Sequence, residues 1–295
     1  MRNILKIEPN HFTLKLLTAK RHVINTFGIF AHHIKKLLQR YTSSNLHVAL
    51  ALCAFCYVFA LQHGVQFSFS LQCAVFGFGW VAYQYLHICV PVLYRQQPLR
   101  FKRIFPFLLA LFIGVYGLIS QPIFIWVVFG FVGVLTFCYA LPFGAKMGLR
   151  FVPTLKVFVV ALCWTVLAMV PMTVLPTDVF VLVSIKALAW MICLILPFEL
   201  RDMQKDEKSL KTLPQLLGVN GVKLFGLILI GFIAFLAFKT VAVDVLLWVE
   251  WVMLLLLSIA LYVVTPKRSP MFTSFWVEGI PVLWLLLSVL ALIFG

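Results

Sequence analysis

The chain has 295 residues, of which 63% are hydrophobic and only 11% charged, and its mean hydropathy is +1.05. So little polar surface excludes a water-soluble globule of this length and points to an integral membrane protein. The formal charge of +15 invites a nucleic-acid reading. The basic residues, however, collect in alternate segments between apolar runs, as the positive-inside rule requires, so membrane lipids and not nucleic acid are the expected partners.

The first segment, residues 1–45, holds no continuous apolar stretch ahead of a small-residue cleavage site, so no cleavable signal peptide is expected. Phe12, Leu16, Leu17, Val23, Phe27, Phe30, Ile34, Leu37 and Leu38 alternate with Lys15, Lys20, Arg21, Lys35, Lys36 and Arg40. That pattern suits a basic amphipathic helix on the cytoplasmic membrane surface, with a partner-binding helix as the alternative.

Residues 46–295 then read as one domain of nine apolar runs, at about 46–62, 67–94, 106–120, 122–143, 152–176, 177–200, 222–238, 245–265 and 272–294. Their apolar character is continuous, not alternating, which excludes a β-barrel and predicts an all-α, polytopic membrane protein with nine transmembrane helices. Basic residues follow the second run (Arg95, Arg100, Lys102, Arg103), the fourth (Lys146, Arg150), the sixth (Arg201, Lys205, Lys208, Lys211) and the eighth (Lys267, Arg268). The intervening loops hold almost none, Lys239 excepted, which predicts a cytoplasmic N-terminus and an external C-terminus in a bacterial-type inner membrane. The seven cysteines all fall inside the runs; even Cys53 and Cys56, at CxxC spacing, have neither histidine nor acid beside them and read as small buried residues. Lys186 lies about nine residues inside the sixth run and Glu250 about five or six into the eighth, at depths that allow them to pair as a structural bridge, with a proton or ion pathway as the alternative. Glu278, entering the ninth run from the cytoplasmic side, either shares a cavity with Asp202 or reaches interfacial water.

Four of the nine acidic residues, Glu199, Asp202, Asp206 and Glu207, cluster at the end of the sixth run. On a helix, positions 199, 202 and 206 share one face, and three carboxylates projecting together repel unless a cation joins them. Mg²⁺ suits such oxygen donors, and Arg201, Lys205, Lys208 and Lys211 can neutralise a phosphate that arrives with it. The same charges equally describe a solvated cytoplasmic loop with helical acid–base pairs.

The run Glu199, Arg201, Asp202, Asp206, Lys208, Thr212, Leu213, Pro214, Gly218 resembles the second aspartate-rich motif of the UbiA family of membrane prenyltransferases, which reads DxxRDxxxD followed by a basic residue and TLPxxLG. Tyr139 to Phe143, then Leu155 and Lys156, are similar to that family's tyrosine- and proline-containing turn and the helix after it. The resemblance spans most of the chain beyond residue 45 and implies a UbiA-like bundle. It also implies Mg²⁺ at Glu199, Asp202 and Asp206, the two aspartates being catalytic, and transfer of a prenyl group from a polyprenyl diphosphate to an aromatic or lipidic acceptor. The family's first motif, NxxxDxxxD, belongs at the end of the second helix, where this chain has Tyr83 to Arg95 and no acid at all between Glu8 and Asp178. Gln84, His87 and Arg95 stand there instead, so that with Arg201, Lys205, Lys208 and Tyr139 they form the expected substrate-binding set. The alternative implied by the missing acids is an inactive or repurposed relative that binds a lipid or isoprenoid ligand.

Overall fold

The computed structural model describes residues 33–95, 104–141, 149, 152, 154–205 and 210–294, the side chains of 89–91 and 93–95 excepted. The chain divides into two units, residues 1–43 and 44–295. In the first, α1 (His33–Ser43) is the described part, ending where the Thr42 hydroxyl donates to the Leu38 carbonyl at 3.0 Å. The expected surface helix otherwise lies outside the described residues.

The second unit is a bundle of α2 (Leu46–Gln62), α3 (Phe69–Arg95), α4 (Ile104–Ile119), α5 (Ile123–Ala140), α6 (Leu155–Met169), α7 (Thr177–Asp202), α8 (Leu213–Thr240), α9 (Asp244–Val263) and α10 (Ile280–Phe294). Each apolar run becomes a helix because, away from water, a backbone must satisfy its own hydrogen bonds. The segments α5, α7, α8, α9 and Phe272–Phe294 are long and apolar enough to cross a bilayer, whereas α4 and α6 are shorter apolar helices. Large apolar side chains such as Phe112, Leu224 and Tyr262 are exposed on the outside. These features are consistent with an integral multi-pass membrane protein.

Two departures from the expected runs have local causes. The helix of the seventh run, α8, begins at Leu213, well before 222, because Pro214 opens a first turn and Gln215 accepts the Thr212 N–H at 3.0 Å. That turn joins the rest of α8 through a kink at Gly218, whose φ of 71° favours glycine. The ninth run is likewise broken: a π-helical turn, Phe272–Val277, precedes α10. Within it the Glu278 N–H reaches back five residues to the Thr273 carbonyl at 3.0 Å.

Helices α3 and α4 pack most closely because Gly77 and Gly117 admit the neighbouring backbone; a Cβ on Gly117 would strike Ala74 N and Ser70 O. Elsewhere α2 packs on α3, α6 and α10, and α7 lies between α6 and α8 while also touching α9. The core between them holds Phe55, Phe59, Trp190 and Trp284, all fully buried. Trp190 and Trp284 stack with ring centroids 4.6 Å apart.

The expected pairing of Lys186 with Glu250 is present, at 3.2 Å, with both side chains wholly buried. Gln62 completes the cluster: its amide oxygen accepts from Lys186 Nζ at 3.1 Å and its nitrogen donates to Glu250 Oε2 at 2.8 Å. Trp190 Nε1 donates to the other carboxylate oxygen at 2.8 Å. The charges are therefore paired and their hydrogen-bonding capacity largely used, which is how ionisable groups persist at such depth.

Candidate functional site

The last turn of α7 carries Glu199, Arg201 and Asp202. Helix α7 ends at Asp202, and the Lys205 N–H turns back to the Asp202 carbonyl at 2.8 Å. The expected common face of 199, 202 and 206 is thus described only for its first two members. Glu199 and Asp202 remain one turn apart. Asp206 and Lys208 lie outside the described residues, as does the Arg95 side chain.

Both acids in the last turn of α7 have a cationic partner. Glu199, only 2% exposed, pairs with Lys156 of the first α6 turn at 2.9 Å. Asp202 is held in a two-pronged grip by Arg201, whose Nε donates to Oδ1 at 2.9 Å while Nη2 donates to Oδ2. Lys205, largely exposed, stands 3.6 Å from Asp202 and adds little. The remaining arm of Arg201 donates to the hydroxyls of Thr273 and, at 3.3 Å, Ser274, so the end of α7 is bound to the π-helical turn. His47 of α2 anchors the same turn from the other side, with Nε2 2.9 Å from the Phe275 carbonyl and its ring stacked on Phe275.

These contacts frame a polar chamber of about 200 Å³ lined by Tyr83, Tyr139, Lys156, Glu199, Arg201, Asp202 and Glu278, with apolar neighbours including Trp164 and Phe198. An apolar cavity of about 320 Å³ adjoins it, walled by α3, α5 and α6 residues such as Phe78, Phe129, Phe137 and Leu167. Tyr83, Tyr139, Val160 and Trp164 line both spaces. The Trp164 indole N–H donates to the Tyr83 hydroxyl at 3.2 Å, fixing two rings of that shared wall. A head-sized space with charged lining beside a larger apolar one suits a lipid with a polar end.

Of the expected substrate-binding residues, Arg201 and Tyr139 line the chamber and Lys205 stands at its edge beside Asp202. Gln84 and His87 are placed elsewhere, on the α3 face that meets the start of α2. Gln84 Nε2 donates to the Ser44 carbonyl at 2.8 Å, beside Trp80 Nε1 on the same carbonyl at 2.9 Å. His87 Nδ1 is 2.9 Å from Asn45 Nδ2. Asn45 has a left-handed backbone, φ 61°, and these side chains hold that bend. Helical periodicity gives the reason: Gln84 and His87 are one turn apart on one face, and Tyr83, a residue away, points into the chamber instead. Tyr83 carried no signal in sequence beyond being aromatic. Glu278 did, as an acid in an apolar run, and it shares the chamber with Asp202.

Among the described residues no three His, Cys, Asp or Glu side chains are grouped to hold a metal ion. Glu199 and Asp202 already have Lys or Arg against their oxygens, and α3 supplies no carboxylate opposite them. This donor set does not fit a two-metal magnesium site.

The all-α bundle and its paired cavities define the class as a UbiA-like membrane fold. The structure matches in particular the apo structure of a UbiA homolog from Aeropyrum pernix K1, with a TM-score of 0.55 over 84% of this chain and 97% of that one, at 14% sequence identity. No protein-family model and no curated protein matches the sequence. The likeness established is therefore that of fold.

Proposed function

We infer that this chain is a nine-span, UbiA-like membrane protein that binds an isoprenoid or comparable lipid inside its bundle, the tail in the apolar cavity and the head in the polar chamber. The observation carrying this reading is that the two spaces adjoin, with Tyr83, Tyr139, Val160 and Trp164 lining both. Helices α2 to α10 serve as the nine spans, with a cytoplasmic N-terminus and residues 1–45 on the inner-membrane surface. The direct test is retention of a radiolabelled farnesyl-chain probe by the protein in lipid nanodiscs. Trp164→Ala opens the shared wall and Leu167→Trp fills the apolar cavity; the filled variant is expected to lose at least tenfold in affinity. Unchanged retention in Leu167→Trp would falsify the placement of the tail.

The fold and the presence of Asp202 on the chamber favour a second reading, Mg²⁺-dependent prenyl transfer from a polyprenyl diphosphate to an aromatic or lipidic acceptor. It assigns Asp202 and Asp206 as catalytic, Glu199 as a further metal ligand, and Arg201, Lys205 and Lys208 as diphosphate partners. Under it, Asp202→Ala and Asp206→Ala abolish magnesium-dependent turnover while leaving insertion intact. The neutralised state of Glu199 and Asp202 places this reading second.

A further inference from the structure

The chamber's polar groups divide into those satisfied by one another and one that is not. Lys156 is spent on Glu199. Arg201 gives donors to both oxygens of Asp202 and to the hydroxyls of Thr273 and Ser274. Glu278 lines the same chamber, yet among the described residues its carboxyl makes no hydrogen bond or close ion pair and feels the Arg201 charge only from beyond contact. Its position is set firmly, because the π-helical turn before it is tied to α7 through Arg201 and to α2 through His47. A carboxyl held at such a cavity with no hydrogen-bonded partner among the described residues is costly to leave unmet. The missing partner is then a group that donates hydrogen bonds or carries positive charge.

A phosphate is the wrong head for this chamber. Among the described residues carboxylates outnumber cations on its lining, and those cations are already committed, so an added polyanion would face Glu278 without compensation from them. Resting on the lipid-binding reading above, we propose that Glu278 is the head-group contact of this site and that the ligand is a long-chain or isoprenoid alcohol or amine, bound without a metal ion. The tail lies beyond Tyr83 and Trp164; the hydroxyl or ammonium donates to Glu278.

The experiment compares farnesol, farnesylamine and farnesyl diphosphate on the full chain in nanodiscs of neutral lipid, with EDTA and with Mg²⁺. Wild type is expected to bind the amine and the alcohol at least tenfold more tightly than the diphosphate, equally in both conditions. Glu278→Gln keeps an acceptor and is expected to hold the alcohol within about threefold while losing the amine by tenfold or more. Glu278→Leu is expected to weaken both by tenfold or more. Diphosphate preference that requires Mg²⁺ overturns the head-group assignment and leaves lipid binding standing. Binding of none of the three probes removes both. Wild-type affinity for the alcohol and the amine in Glu278→Leu overturns the role of Glu278, and the ranking of heads by wild type decides the ligand class even where a variant fails to fold.

Discussion

Replacing Lys186 by methionine keeps most of the apolar stem and deletes the charge, which isolates what the buried ion pair contributes. In the folded chain Lys186 Nζ lies 3.2 Å from Glu250 Oε2 and 3.1 Å from Gln62 Oε1, with both charged side chains at 0% exposure. After substitution, Glu250 retains Gln62 Nε2 and Trp190 Nε1 as donors, but its charge has no counterion and the Gln62 oxygen loses its donor. Stranding one member of a buried pair costs about 3–5 kcal/mol, or about two to three and a half orders of magnitude in the unfolding constant. Adding Glu250→Gln removes the stranded charge while an amide oxygen can still accept from Trp190. The double variant should then recover most of the loss, leaving about 1–2 kcal/mol for imperfect hydrogen bonds. Both are measured by SDS-induced unfolding in mixed micelles. A single-variant loss below about 1 kcal/mol, or a double variant no more stable than Lys186→Met, refutes the argument that uncompensated buried charge sets the cost.

Gly117→Ala should destabilise by about 1–3 kcal/mol in the same unfolding assay, since its Cβ meets α3 backbone, while Gly130→Ala, whose Cβ meets nothing, should be neutral or gain up to about 1 kcal/mol; equal effects would deny the close α3–α4 approach. Tyr83→Phe removes the acceptor of the Trp164 indole N–H and should cost about 1 kcal/mol, read alongside a change in Trp fluorescence. Because Glu199 and Asp202 are already paired with Lys156 and Arg201, exchanging Mg²⁺ for EDTA should leave the thermal midpoint of the ligand-free protein unchanged; a rise of several degrees with Mg²⁺ would mean that a metal binds the native state.

Much of the bundle was legible in the chain itself. Continuous apolar runs interrupted by polar segments located helices α2 to α10 closely, because a backbone withdrawn from water has almost no alternative to the helix. Two boundaries were not legible: the early start of α8 and the π-helical turn before α10 depend on local hydrogen bonds and packing partners, not on hydropathy. The acidic cluster was visible as composition, and its wording pointed to the UbiA-like fold that the structural match supports. Its electrostatic state was not visible. Nothing in the spacing of Glu199 and Lys156 says that they meet, since they stand forty-odd residues apart on different helices.

Sequence alone determined that the chain is a basic, multi-pass, all-α membrane protein, that its rare acids gather near the end of one helix, and that Lys186 and Glu250 needed partners. Those properties follow from transfer energies and periodicity, which act residue by residue. Tertiary structure decided which polar groups neutralise each other and which face a cavity. It turned Gln84 and His87 to the Ser44–Asn45 bend, joined Tyr83 and Glu278 to the chamber, and closed Arg201 onto Asp202. The reason is that charge compensation is a matter of distances of about 3 Å between helices, and only the packing of the bundle sets those.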